Sequence, residues 1–393
     1  MLFSLLILEI FLRLFSPVQF RVQGSKIILP ANKTHIFYNT TNPKLDSVIV
    51  HRKNALGFRG ENAPENWAEY LTIFTVGGST TECFHLSDGQ DWTSQLSDLL
   101  KQDLQKTWVN NAGLDGQSTF GHAILLEDHL LKLKPNLLLF YVGINDVRRD
   151  DLNSFDQSMF KQEVKWREWL EYNVKTIGFA RNFWRAMRAK KRGLSHHEVD
   201  LAKLPSLIFP DSTIVRQVEE YKVKYVPAYK KRIERLIKLC RENNVEPVFA
   251  TQPSLIGVGV DSLTGVNLET VATVNGENGK LSWAILQANN QALLELCAAE
   301  GVFCMDVASK MPKNSKYYYD FIHCTKEGSA QIARIMAAEL IPHLVEKYPA
   351  YLSASQQLVR PVSTKSVVKA QNLLSPFPVP VNLTDSTWLN SCI

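Results

Sequence analysis

Four short polar clusters in this chain hold residue types that suit nucleophilic chemistry. They are Ser79 after Gly77-Gly78, Gly116 at the end of Asn111-Ala112-Gly113-Leu114-Asp115-Gly116, Asn145 within Gly143-Ile144-Asn145-Asp146, and Asp320 with His323. A serine hydroxyl is a poor nucleophile near neutral pH and needs a base within hydrogen-bond reach. His323 can be that base, because an imidazole accepts and returns a proton near neutrality. A carboxylate orients such a ring and stabilises its cation, and Asp320 sits on the same loop. A developing oxyanion needs donors fixed in advance. The Ser79 amide, the Gly116 amide and the Asn145 carboxamide are the candidates. Three of the four clusters also have a plainer explanation. Gly-Gly-Ser can simply join strand to helix, Asn145-Asp146 can be a turn, His323 can cap the last helix, and Asp320 can be an ordinary loop carboxylate.

What favours the chemistry is where the pattern places these residues. Leu71 to Val76 is an apolar, β-branched run that predicts a buried strand ending at the glycine pair. Trp92, Leu96, Leu99, Leu100 and Leu104 fall at helical spacing and predict a helix over 91–105. A second strand follows at 107–111, a helix at 119–134 and a third strand at 137–142. After an interruption the alternation resumes. A helix at 215–243, a strand at 246–251 ended by Gln252-Pro253, a glycine-containing loop at 254–279, a helix at 282–300, a strand at 302–307 and a last helix at 325–347 complete it. Such alternation specifies a parallel sheet covered by helices on both faces. The carboxyl ends of parallel strands share one edge, so Ser79, Gly116, Asn145 and the Asp320/His323 pair can converge there.

The remainder bounds the protein class. The 393 residues are 45% hydrophobic and 21% charged, with a net charge of +5, a globular composition with ample core material. So mild a charge, with no zinc-finger or RNA-binding signature, argues against a nucleic-acid partner. Six scattered cysteines form no Cys-x-x-Cys pair, and His85, His196 and His197 lack partners at ligand spacing and read as surface residues. No metal or cofactor is expected. Cys83 and Cys324 lie close in sequence to Ser79 and His323, which leaves a disulfide between them open. Residues 1–17 begin with the apolar run MLFSLLILEIFLRLF, read as a membrane anchor or signal-like segment, with a buried or interfacial amphipathic helix as the alternative. Glu9 and Arg13 are spaced to pair on one helix face. Residues 18–70 form an N-terminal extension lying on the main domain, and 349–393 a proline-containing tail. The stretch 151–235 reads as a helical insertion. Within 161–192 ten Lys or Arg stand against three Asp or Glu, among Trp166, Trp169, Phe179, Phe183 and Trp184. That is a solvated basic face or a contact surface for anionic glycan or phospholipid.

The four clusters, in this order, resemble the SGNH hydrolase family of GDSL-like lipases and acylhydrolases over about residues 71–345. The resemblance implies a three-layer α/β/α sandwich with a five-stranded parallel, flavodoxin-like sheet in a domain spanning 71–348. It implies Ser79 as nucleophile, Asp320 and His323 as the rest of a triad, and Ser79, Gly116 and Asn145 as the oxyanion hole. The chain reads Gly-Gly-Ser where the name-giving motif reads Gly-Asp-Ser. The expected activity is a serine esterase acting on an acyl or acetyl ester, on a cell-envelope glycan or a lipid, membrane-tethered and outside the cytoplasm. An O-acyltransferase with the same triad, or a binding protein on the same fold, are the alternatives.

Overall fold

The computed structural model describes residues 2–15, 22–23, 26–149, 166, 170, 173–191, 199–273 and 275–352. The proposed tail beyond 352, His196, His197 and much of the 151–198 stretch lie outside these residues.

Five strands form the central parallel sheet: β5 (Leu71–Gly77), β6 (Thr107–Asn111), β7 (Leu137–Tyr141), β8 (Glu246–Ala250) and β9 (Cys304–Met305). Their order is β6-β5-β7-β8-β9. Their apolar residues alternate between two cores, as a period of two requires. Leu71, Ile73, Leu137, Leu139 and Val248 face α3 (Trp92–Asp103) and α9 (Lys326–Lys347). Phe74, Val76, Leu138, Phe140 and Phe249 face α4 (Thr119–Asp128), α6 (Asp211–Glu242) and α7 (Gly279–Glu300). The result is the three-layer α/β/α sandwich.

Registry decides where chemistry can occur. Gly77 pairs with Tyr141, and Tyr141 with Ala250, so β5, β7 and β8 end in one row. Residues following these strands therefore emerge side by side.

Several boundaries differ from the expectation. β9 is two residues rather than six, because Asp306 already caps the short helix α8 (Val307–Lys310) by accepting from Ser309 N. The 119–134 helix stops at Asp128 and continues as a 3-10 turn over Leu130–Leu133. Helix α6 begins at Asp211, and Tyr229, Ile233, Leu236 and Ile237 pack it on the sheet. Residues 211–235 thus belong to the sandwich rather than to an insertion. The described part of the intervening stretch holds α5 (Lys175–Lys191), which packs against α1 (Leu2–Phe15). No helix among the described residues is long and apolar enough to cross a membrane.

Residues ahead of β5 add two small antiparallel pairs. β1 (Val22–Gln23) and β2 (Lys26–Ile27) form a small antiparallel pair, and β3 (Thr34–Tyr38) and β4 (Val48–Arg52) form a hairpin. Arg59 then bridges to Asn111 at the end of β6.

Candidate active site

Strand β5 delivers Ser79 into the first turn of α2 (Ser79–Glu82), where it is 5% exposed. The loop before α9 brings His323 to it. His323 Nε2 lies 2.8 Å from Ser79 Oγ, and His323 Nδ1 lies 2.6 Å from Asp320 Oδ2. The other carboxylate oxygen, Oδ1, accepts from the Ile322 and His323 amides at 2.8 and 2.7 Å. Burial would push the Asp320 carboxyl up. The charge and hydrogen bonds of His323 and these amides outweigh it and hold the group below the usual carboxylate range. The Tyr319 ring stacks on the imidazole, with centroids 5.6 Å apart and planes within 11°. Hydroxyl, base and orienting carboxylate thus form one continuous line, as nucleophilic activation of a serine requires.

Asn145, and the Gln117 carbonyl that follows Gly116, border Gly78, the residue before the serine. Asn145 lies in the 3-10 turn after β7, and its Nδ2 donates to Gln117 O at 2.8 Å. That nitrogen also rests against Gly78, where a Cβ would approach it to 2.1 Å. Gly116 precedes Gln117 and adopts φ +73°, a left-handed conformation that suits glycine. Among the described residues, neither the Ser79 nor the Gly116 N–H donates to a protein acceptor.

The sequence from residue 75 to 331 matches the family model of the GDSL-like Lipase/Acylhydrolase family. The chain belongs to that family. It is accordingly an ester hydrolase. Similar solved structures include an acetylxylan esterase from Geobacillus stearothermophilus, 13% identical over 68% of this chain and 93% of that one, with a TM-score of 0.39. Another is a GDSL-like lipase from Bacteroides thetaiotaomicron, 12% identical over 73% of this chain and 92% of that one, with a TM-score of 0.37. No curated protein sequence matches this chain.

Several residues that position the site of this acylhydrolase carried no signal in the sequence. Gln252, just past β8, donates to Thr80 Oγ1 at 2.8 Å and to Tyr141 O at 3.2 Å, and accepts from Ile144 N at 2.7 Å. One amide thereby ties the serine's helix to the loop bearing Asn145. Glu82 does the same for the Gly116 loop. Its Oε2 accepts from Asp115 N at 2.6 Å, while Oε1 pairs with Lys53 at 2.8 Å. Both side chains of that ion pair are at most 5% exposed. Arg59 donates to the carbonyls of Glu82, Cys83 and Leu86 at 2.7–3.0 Å, closing the end of α2. The extension thus braces the helical turn that carries Ser79.

Cys83 and Cys324, left open as a disulfide, are free buried thiols, and burial pushes Cys83 up to about 12. His85, expected on the surface, is half-buried between Phe37 and Tyr319. Among the described residues no group of three His, Cys, Asp or Glu could hold a metal ion.

Proposed function

We propose that this hydrolase is a serine esterase cleaving acyl esters, acetyl esters of glycans included, through an acyl-enzyme on Ser79. The hydrogen-bonded line from Ser79 through His323 to Asp320 carries the reading. Ser79 Oγ attacks the ester carbonyl carbon as its proton passes to His323 Nε2. Negative charge moves to the carbonyl oxygen, which takes hydrogen bonds from the Ser79 and Gly116 amides and Asn145. Collapse expels the alcohol oxygen, which leaves with the proton from His323. Water then repeats the sequence, giving the free acid and restoring the serine. Asp320 stays ionised throughout, fixing the ring. Ser79→Ala should lower turnover of nitrophenyl acetate by about ten-thousandfold or more while the protein stays folded. Retention of a tenth of wild-type turnover would end this reading.

A lipid surface is the second element of the proposal. Glu9 on α1 accepts from the Lys175 and Thr176 amides at 2.9 and 2.8 Å, docking α1 on the start of α5. Around that joint Leu6, Ile7, Phe11 and Leu14 of α1 are exposed, as are Phe183, Trp184 and Met187 of α5. The α5 sequence, KTIGFARNFWRAMRAKK, contains Lys and Arg but no Asp or Glu. Apolar faces beside positive charge suit the headgroup region of an anionic bilayer. Full-length protein should co-sediment with vesicles containing phosphatidylglycerol, and Phe183→Ser/Trp184→Ser should release it. Equal recovery with and without vesicles, or a dimer by light scattering, would overturn this element.

A further inference from the structure

We infer that the β3–β4 hairpin builds a sugar-binding subsite beside the triad, so that the alcohol half of the ester is a carbohydrate. The inference rests on the esterase reading and deepens it. A cavity of about 530 Å³ opens between the hairpin and the catalytic loop, with Phe37, Tyr38, Thr41, Leu45, His85 and Tyr319 among its walls. That volume lies within the usual range for small-molecule sites, about 300–1,000 Å³. Tyr319 is the shared wall. One part of it borders the cavity, and its ring stacks on His323. A group seated in the cavity is therefore one ring away from the base.

The walls are held in place. Lys44 of the hairpin loop donates to Ser315 O and Tyr318 O at 3.0 and 3.1 Å, fastening the hairpin to the segment that bears Tyr319. Asn39 closes the loop on itself, donating to Asn42 O at 2.6 Å and accepting from Asn42 N at 3.0 Å. Phe37 packs on Phe84 with centroids 4.7 Å apart and on His85 at 6.2 Å. A preset cavity costs a ligand little ordering.

Its chemistry selects among ester alcohols. Among the described residues the lining contains no carboxylate, ammonium or guanidinium group, so a phosphorylated headgroup finds no counter-charge there. Among the described residues, Leu45 and Ile49 are its only aliphatic side chains, a poor match for a long hydrocarbon chain. Aromatic rings beside threonine hydroxyls and loop amides offer flat apolar faces together with donors and acceptors. A sugar ring presents the complement: C–H faces above and below, hydroxyls at the rim.

The test compares two esters in three proteins. Wild type, Tyr38→Ala and Thr41→Val are assayed on an O-acetylated xylo-oligosaccharide and on nitrophenyl acetate. Tyr38 is 78% exposed and bonds to nothing in the triad, so its removal spares the fold. We expect kcat/KM on the acetylated oligosaccharide to fall about tenfold in Tyr38→Ala, mainly through KM, with nitrophenyl acetate unchanged within about twofold. Saturable binding of the oligosaccharide to Ser79→Ala should be lost in Ser79→Ala/Tyr38→Ala. Equal effects on both esters, or turnover of nitrophenyl acetate with none of the acetylated oligosaccharide, overturn the subsite alone. Oligosaccharide binding through Tyr38 without turnover of any ester overturns the hydrolytic role of Ser79 and leaves the subsite standing.

Discussion

Asn145 Nδ2 occupies the space that a side chain on residue 78 would need, 2.1 Å from an ideal Cβ there. Gly78 is also the position at which the chain departs from the Gly-Asp-Ser pattern. Here the glycine is the condition for a close Asn145, because any side chain must displace the carboxamide or the Gln117 carbonyl at 3.0 Å.

Gly78→Ala should therefore mimic Asn145→Ala. Each removes a donor that matters more in the transition state than in the bound substrate, so kcat should fall about a hundred- to thousandfold with KM nearly constant. Asn145→Asp should be at least as damaging, since it puts negative charge where negative charge develops. The melting temperature and titrated active sites of each preparation are measured together. A normal kcat per titrated site in Asn145→Ala would remove Asn145 from the mechanism.

The buried Lys53–Glu82 pair gives a second expectation. Removing one partner leaves an uncompensated buried charge, at a cost of about 3–5 kcal/mol. Lys53→Met should lower the urea midpoint accordingly. Lys53→Met/Glu82→Gln should recover much of the loss, because the amide oxygen still accepts from Asp115 N. An unchanged midpoint in Lys53→Met would show that the pair contributes nothing to stability.

Why the Ser79, Asn145 and Asp320/His323 clusters are legible and this brace is not follows from how each is encoded. Ser79 and Asn145 stand just after apolar runs short enough to recognise locally, and Asp320 and His323 share one short segment, in an order that resembles a known family. Lys53, Arg59 and Gln252 carry no such mark. Gln252 meets Thr80 across 172 residues, a pairing chosen only once the sheet has assembled. The two-residue β9 was overestimated for a related reason. Its apolar flanks serve the packing of α8 and the sheet edge as well as a strand would. The apolar composition of residues 1–15 raises the expectation of an anchor. It carries no sign of the pairing of α1 with α5 through Glu9, which joins segments 166 residues apart.

Acid should weaken this fold through His51. The ring is fully buried, both nitrogens lack hydrogen-bond partners, and Phe84 packs on it at 4.8 Å. Burial, then the charges of Arg59 and Lys53, lower its pKa from 6.5 to about 2. Between those values the unfolded chain takes a proton that the folded chain refuses. Stability from this group is therefore full above pH 6.5 and falls by about 1.4 kcal/mol per pH unit below it, roughly 2 kcal/mol by pH 5. His51→Phe should flatten urea-unfolding stability between pH 6.5 and 5. A slope as steep as wild type would assign the acid sensitivity elsewhere.

Strand order has a consequence for biosynthesis. β5 leaves the ribosome before its two neighbours, and it is hydrogen-bonded only after β6 and β7 have followed. His323, the hydrogen-bond partner of Ser79, lies 244 residues further along the chain. At about 5–20 residues per second, that stretch takes on the order of 12–50 seconds to synthesise. Throughout that interval nascent Ser79 lacks its hydrogen bond to His323, and a product truncated before His323 cannot form the line from Ser79 to Asp320. That line is completed only when translation has passed residue 323, at the threshold of the last helix.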